Sequence, residues 1–189
     1  MGAMQIEDSP LAEAGRQFFS PENAQTWISL LRPAFHLRTL TEGEPTVSQL
    51  GGEPSLPSDV EWPVWEGHGP LSFVASVDCD QVPTAELDIP LPESGTLNFF
   101  YFNGLGDGTV QYLDPASVTG GTRVIYVPAD AEATPRHVPD GLQPFPEVLL
   151  GGEMIATAPD NENRVGGSVA RPASHTTGHA GHASGGSSG

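Results

Sequence analysis

Apolar residues recur along this chain in two rhythms, a helical one near the start and an alternating one through most of the remainder. Ser9 and Pro10 stand where an N-cap and a first helical residue belong, and Leu11, Ala14 and Phe18 follow at helical spacing. Ser20, Pro21 and Glu22 repeat that start signal. Ala24, Trp27, Ile28 and Leu31 then recur at steps of three and four, which predicts a second helix with one apolar face. Arg32 sits in its last turn and Pro33 ends it, because a proline pushes the residue before it out of the helical region.

The period then shortens to two. Over 34–40, Phe35, Leu37 and Thr39 alternate with His36, Arg38 and Leu40, which predicts a half-buried strand with His36 turned outward. Residues 43–70 are broken by Gly and Pro and carry two tryptophans, so a long packed loop is expected there. Residues 71–77 and the aromatic run 96–102 predict buried strands. Asn-Gly-Leu-Gly-Asp-Gly at 103–108 predicts a hairpin turn, with 109–113 as the returning strand. A further antiparallel strand is expected at 122–127 and a short last one within 147–158. The fold class is α+β: N-terminal helices followed by a predominantly antiparallel β-sheet domain. Met1, Gly2, Ala3 and Met4 read as a cleavage scar, which leaves a flexible start over 1–8, one domain over 9–159 and a disordered Gly/Ser/His-rich tail over 160–189.

Charge narrows the function classes. The 189 residues carry 24 acidic and 7 basic side chains, a net charge of -17, which disfavours attraction to nucleic-acid phosphates or anionic lipid. All basic residues are Arg, so Schiff-base and lysine-base chemistry are excluded. The single Cys79 can form no intrachain disulfide and no structural zinc site alone, which fits a reducing, cytoplasmic setting. Neither a membrane span nor a basic-then-apolar leader is visible. No cofactor is called for: Gly-x-Ser-x-Gly is absent, and the glycine clusters lack the lysine of a phosphate loop.

The most distinctive segment reads Gly51-Gly52-Glu53-Pro54-Ser55-Leu56-Pro57, then Glu61-Trp62-Pro63, then Gly69-Pro70-Leu71-Ser72-Phe73-Val74-Ala75-Ser76-Val77-Asp78. Together with Leu91-Pro92-Glu93-Ser94-Gly95-Thr96-Leu97-Asn98-Phe99-Phe100, it resembles the YwqG-like proteins, a bacterial domain of unknown function. The resemblance runs from the second helix through Val127, half to two thirds of the chain, and the sequence departs from the pattern beyond it. It implies a mixed α and β fold rich in antiparallel sheet, and it brings no reaction or catalytic residue with it.

Candidate partner-binding or ligand-binding residues are Trp62, Trp65, His68, Asp78 and Phe100, where the aromatic loop approaches the aromatic strand. Large rings also build small cores, so a packing role competes with recognition at each tryptophan. Asp78 and Asp80 flank Cys79 at a strand end, where capping competes with cation or acid–base roles. His175, His179 and His182 are the candidate metal ligands, spaced by four and three residues in a glycine-rich stretch that disfavours a helix. The leading expectation is a non-catalytic protein-binding module, in the manner of an immunity protein, whose acidic surface and aromatic loop engage another protein, a basic one by charge. The alternatives are a small-ligand protein or enzyme with a pocket between the aromatic strand and the Trp62 to Trp65 loop, using Asp78 or His68 as acid or base, and metal binding by the histidine tail.

Overall fold

The computed structural model describes residues 5–104 and 120–159. Two helices come first, α1 (Pro10–Phe18) and α2 (Pro21–Leu30), each entered through a serine cap and a first-turn proline. The Ser9 hydroxyl accepts from the Ala12 N–H at 3.2 Å and the Ser20 hydroxyl from the Asn23 N–H at 3.4 Å, satisfying N–H groups that a helix start leaves free. Trp27 joins the helices. Its Nε1 donates to the Leu11 carbonyl at 3.0 Å, and its ring fills the notch at Gly15, where a Cβ would lie 2.3 Å from the indole.

Ten strands follow among the described residues: β1 (Arg32–Thr39), β2 (Ser48–Leu50), β3 (Ser55–Pro57), β4 (Val64–Trp65), β5 (Gly69–Pro70), β6 (Ser72–Asp78), β7 (Thr96–Tyr101), β8 (Thr122–Val127), β9 (Ala133–Pro135) and β10 (Val148–Thr157). Six form one sheet in the order β1-β10-β2-β6-β7-β8, with antiparallel neighbours throughout. The pairs β3-β9 and β4-β5 are separate small ribbons. The chain is therefore α+β, with its helices ahead of a mostly antiparallel sheet.

Two expectations change. Residues 43–70 are not a plain loop, since they contain β2 to β5, strands of two or three residues between glycines and prolines. Of these, β2 forms between two longer strands, β6 on one side and β10 on the other, while β3 pairs with the equally short β9 and β4 with β5. The last strand is neither short nor peripheral. β10 spans ten residues and lies inside the sheet, between β1 and β2. The returning strand expected at 109–113 lies outside the described residues, and the two neighbours of β7 are β6 and β8.

Gly51 and Gly52 explain how the chain leaves β2. Their φ angles are +60° and +69°, in the left-handed region that side chains disfavour, and a Cβ on Gly51 would meet the Pro146 carbonyl at 2.3 Å. Gly51 N–H donates to Val74 and Gly52 N–H to Phe145, at 2.9 and 2.8 Å, so the pair is held between β6 and the approach to β10.

Register assigns side chains to the two faces of the sheet, because directly paired residues share a face and neighbours in a strand alternate. Phe73 of β6, Phe100 of β7 and Val127 of β8 fall on one face. Leu56 and Leu71 cover them to form the buried core, with Trp62, Trp65, Phe102, Ile125, Ala131 and Ala133 packed around it. Asn98 lies on that same face, wholly buried, and neither its Nδ2 nor its Oδ1 meets a protein partner.

Candidate functional site

The aromatic loop is a two-stranded hairpin. Val64 pairs with Pro70 and Trp65 with Gly69, while Gly67 and Gly69 take φ angles of +78° and +117° at its tip. The His68 N–H donates to the Trp65 carbonyl at 2.9 Å and closes the turn. That closure lays the imidazole on the indole, with centroids 3.7 Å apart and planes 11° from parallel. The His68 Nδ1 donates to the Glu66 carbonyl at 3.1 Å, which fixes the ring from its other side.

Phe102 meets both rings edge-on, 5.2 Å from Trp65 and 5.7 Å from His68. Gly120 makes room for the indole edge, since a Cβ there would stand 2.2 Å from Trp65 Nε1. Trp62 points inward instead. Its Nε1 donates to the Leu71 carbonyl at 2.8 Å and its ring meets Phe100 edge-on at 5.4 Å. Loop and aromatic strand therefore touch ring to ring, through Trp62 with Phe100 and Trp65 with Phe102. Val64, Glu66 and His68 of the hairpin are exposed, as is Glu61 just before it, and Trp65 is half-buried.

Asp78 does not join this group. It ends β6 five residues beyond Phe73, roughly 16 Å along the strand. There its Oδ1 accepts from the Asp80 N–H at 3.1 Å and caps a turn over Cys79–Gln81. Asp80 in turn accepts from the Gly95 N–H at 3.1 Å. Both carboxylates are thus engaged as turn groups. Burial pushes the Cys79 thiol pKa up, the neighbouring Asp78 and Asp80 charges add to it, and the side chain is only 1% exposed, so a reactive thiolate is disfavoured.

Charged contacts lie mainly away from the aromatic hairpin. On β1, Arg38 grips Glu44 through two hydrogen bonds and lies 3.6 Å from Glu153 of β10. The Arg38 guanidinium first, then the Thr41 hydroxyl and N–H, hold the Glu44 carboxyl at about 2, below the ordinary carboxylate range, and the same pairing raises Arg38. His36 is exposed, as expected, 3.9 Å from Glu153. Arg136 donates to the carbonyls of Pro57 and Val60 at 3.0 and 3.2 Å, and His137 pairs with Glu53. These two residues fasten β9 to the Gly-Gly-x-Pro segment. Among the described residues, no three His, Cys, Asp or Glu side chains converge as metal ligands would. His175, His179 and His182 lie outside the described residues.

One surface escapes sequence reasoning altogether, the sheet face opposite the core. By register it gathers Leu50, Ala75, Leu97, Phe99, Tyr101, Val124, Tyr126 and Val148 from five strands. None of these residues is charged, and Leu50, Tyr101, Val124, Tyr126 and Val148 are exposed. The available signal was the consecutive run Phe99-Phe100-Tyr101 in β7, which puts aromatic rings on both faces rather than one.

Residues 48–178 match the family described as Domain of unknown function (DUF1963), and the chain belongs to that family. The match begins at β2, so it contains the glycine pair, the aromatic hairpin and the sheet from β2 through β10. No curated protein matches the sequence. No described helix is long and apolar enough to cross a membrane.

Proposed function

We propose that this chain is a non-catalytic protein-binding module that engages a basic partner through the aromatic hairpin. The observation that carries this reading is the composition of the hairpin tip. A half-buried Trp65 is braced by His68 and Phe102, and Val64 and Glu66 beside it in the chain, with Glu61 four residues before it, are exposed. A braced indole provides a rigid apolar anchor at little entropic cost, and the carboxylates around it favour Lys or Arg on the partner. A net charge of -17 would further speed encounter with such a protein. Within the DUF1963 family, the quoted Gly-Gly-x-Pro-x-Leu-Pro and Trp-Pro segments support a closer kinship with the YwqG-like proteins.

The test is affinity capture by the full chain from its native lysate at low and high salt, with Trp65→Ala in parallel. Basic proteins retained at low salt, released by high salt and missed by the variant are the expected result. Retention that ignores both the salt and the substitution would remove this reading.

A further inference from the structure

We propose that the cleft beside the open edge of β10 takes an extended, basic segment of another protein, which joins the sheet as an added strand. This site is separate from the hairpin and stands without it. On one side β10 pairs with β1 along 150–157, but on the other it pairs with β2 only through 148–150. The Val47 N–H donates to the Leu150 carbonyl at 2.8 Å, so the backbone groups of Leu150 point to the β2 side. Strand residues alternate, and Gly152, Met154 and Ala156 therefore turn their N–H and C=O groups to that same side, where no described strand meets them. β2 begins only at Ser48, and upstream of it Pro45 has no N–H with which to extend the ladder.

A cleft of about 700 Å³ lies along this edge, within the size range of protein ligand sites, and Gly152 and Met154 line it. Phe35, Val47, Val82 and Pro83 supply its apolar part. Charge selects the occupant. Glu44, Asp80, Glu86 and Glu153 line the cleft against a single cation among its lining residues, Arg38, which Glu44 already grips. A segment bearing Lys or Arg complements that imbalance, and an acidic one is repelled. Register places Met154 on one face of β10 and Glu153 on the other, so an added strand that alternates apolar and basic residues meets both. In such an addition main-chain bonds give affinity and alternate side chains give specificity. The row from Gly152 to Ala156 runs about 13 Å, which matches a segment of about five residues.

The probe is a capped hexapeptide of alternating Lys and Val, titrated at low salt into the isotope-labelled full chain and followed by nuclear magnetic resonance. The Gly152 and Met154 amides should shift and exchange with solvent at least about tenfold more slowly, while those of Trp65, Glu66 and Gly67 stay unmoved. The same peptide N-methylated at its valines keeps its charge, loses its strand donors and should bind at least about tenfold more weakly. A Glu and Val peptide should leave the chain unperturbed. Asp80→Asn combined with Glu153→Gln should weaken the Lys peptide about threefold or more. The peptide series tests the edge without altering the chain, so it stands even where the double variant does not fold. A Lys peptide that fails to move Gly152 and Met154, or binds equally well when N-methylated, overturns the proposal. Equal binding of the Glu peptide does so too. Gly152 and Met154 amides already protected in the free chain also overturn it, since the chain itself then occupies the edge. Shifts confined to the hairpin overturn this cleft while supporting the hairpin as the basic-partner site.

Discussion

The two faces of the six-stranded sheet are built from the same strands and end in opposite situations. On one, Phe73, Phe100 and Val127 are covered by Leu56, Leu71 and the tryptophan-bearing ribbons. On the other, Phe99, Tyr101, Val124 and Tyr126 stand one residue away in the same strands and remain partly or largely exposed. Apolar character alone therefore does not make a core; a second layer must arrive to cover it. Here that layer is delivered by residues 53–71 and 131–137, pinned by Arg136 and by the glycine pair.

Substitutions should separate the faces by size of effect. Phe100→Ala empties a site buried between Trp62 and Phe73 and should cost about 3–5 kcal/mol in chemical denaturation. An equal cost for Leu50→Ala on the other face would erase the contrast. Gly51→Ala strikes the turn that sends the chain toward the covering layer. It combines a left-handed φ with a backbone clash at the Pro146 carbonyl, and should cost roughly 3 kcal/mol with a lower thermal midpoint.

Acid should act at the β1 end, away from both apolar regions. Glu44 has its folded pKa depressed to about 2 from 4.5, so the stability it contributes is present above pH 4.5 and is lost as pH falls through that window. Glu44→Gln should therefore flatten the acid limb of a stability profile, and an unaltered limb would show that the ion pair is not felt. The smallest effect is expected from Val124→Lys, within about 0.5 kcal/mol of wild type, because the site is already open. A loss of several kcal/mol would mean that the face is covered within a single chain.

The helices were legible because Ser-Pro starts are local signals that the structure uses directly, whereas Arg32, expected in the last turn of the second helix, opens β1 after a helix that stops at Leu30. The strands at 72–78, 96–101 and 122–127 were legible because their β-branched and aromatic residues are consecutive. β2 to β5 were hidden, since strands of two or three residues punctuated by Gly and Pro carry no period to read; β2 and β3 exist only through partners far away in sequence, while β4 and β5 pair across their own tight turn. At the aromatic site, Trp62, Trp65, His68 and Phe100 do fall in one neighbourhood, while Asp78 lies at the far end of β6. Residue types could not reveal that separation, because adjacency in the motif says nothing about the length of strand between its members. The bare face was hidden for a related reason: alternation divides residues between two sides without stating which side another layer will cover.

The position of β10 bears on how the molecule is made. Arg32 of β1 lies opposite Thr157, and nothing else in the described sheet adjoins β1. During synthesis the helices and β1 emerge early, yet their place in the sheet exists only after residues 148–157 have left the ribosome. Assembly must then close a loop of more than a hundred residues, which makes it a slow, late step of high contact order. Until it is complete, β1 and one edge of β2 lack their partner strand, and edges left unpaired in this way favour aggregation.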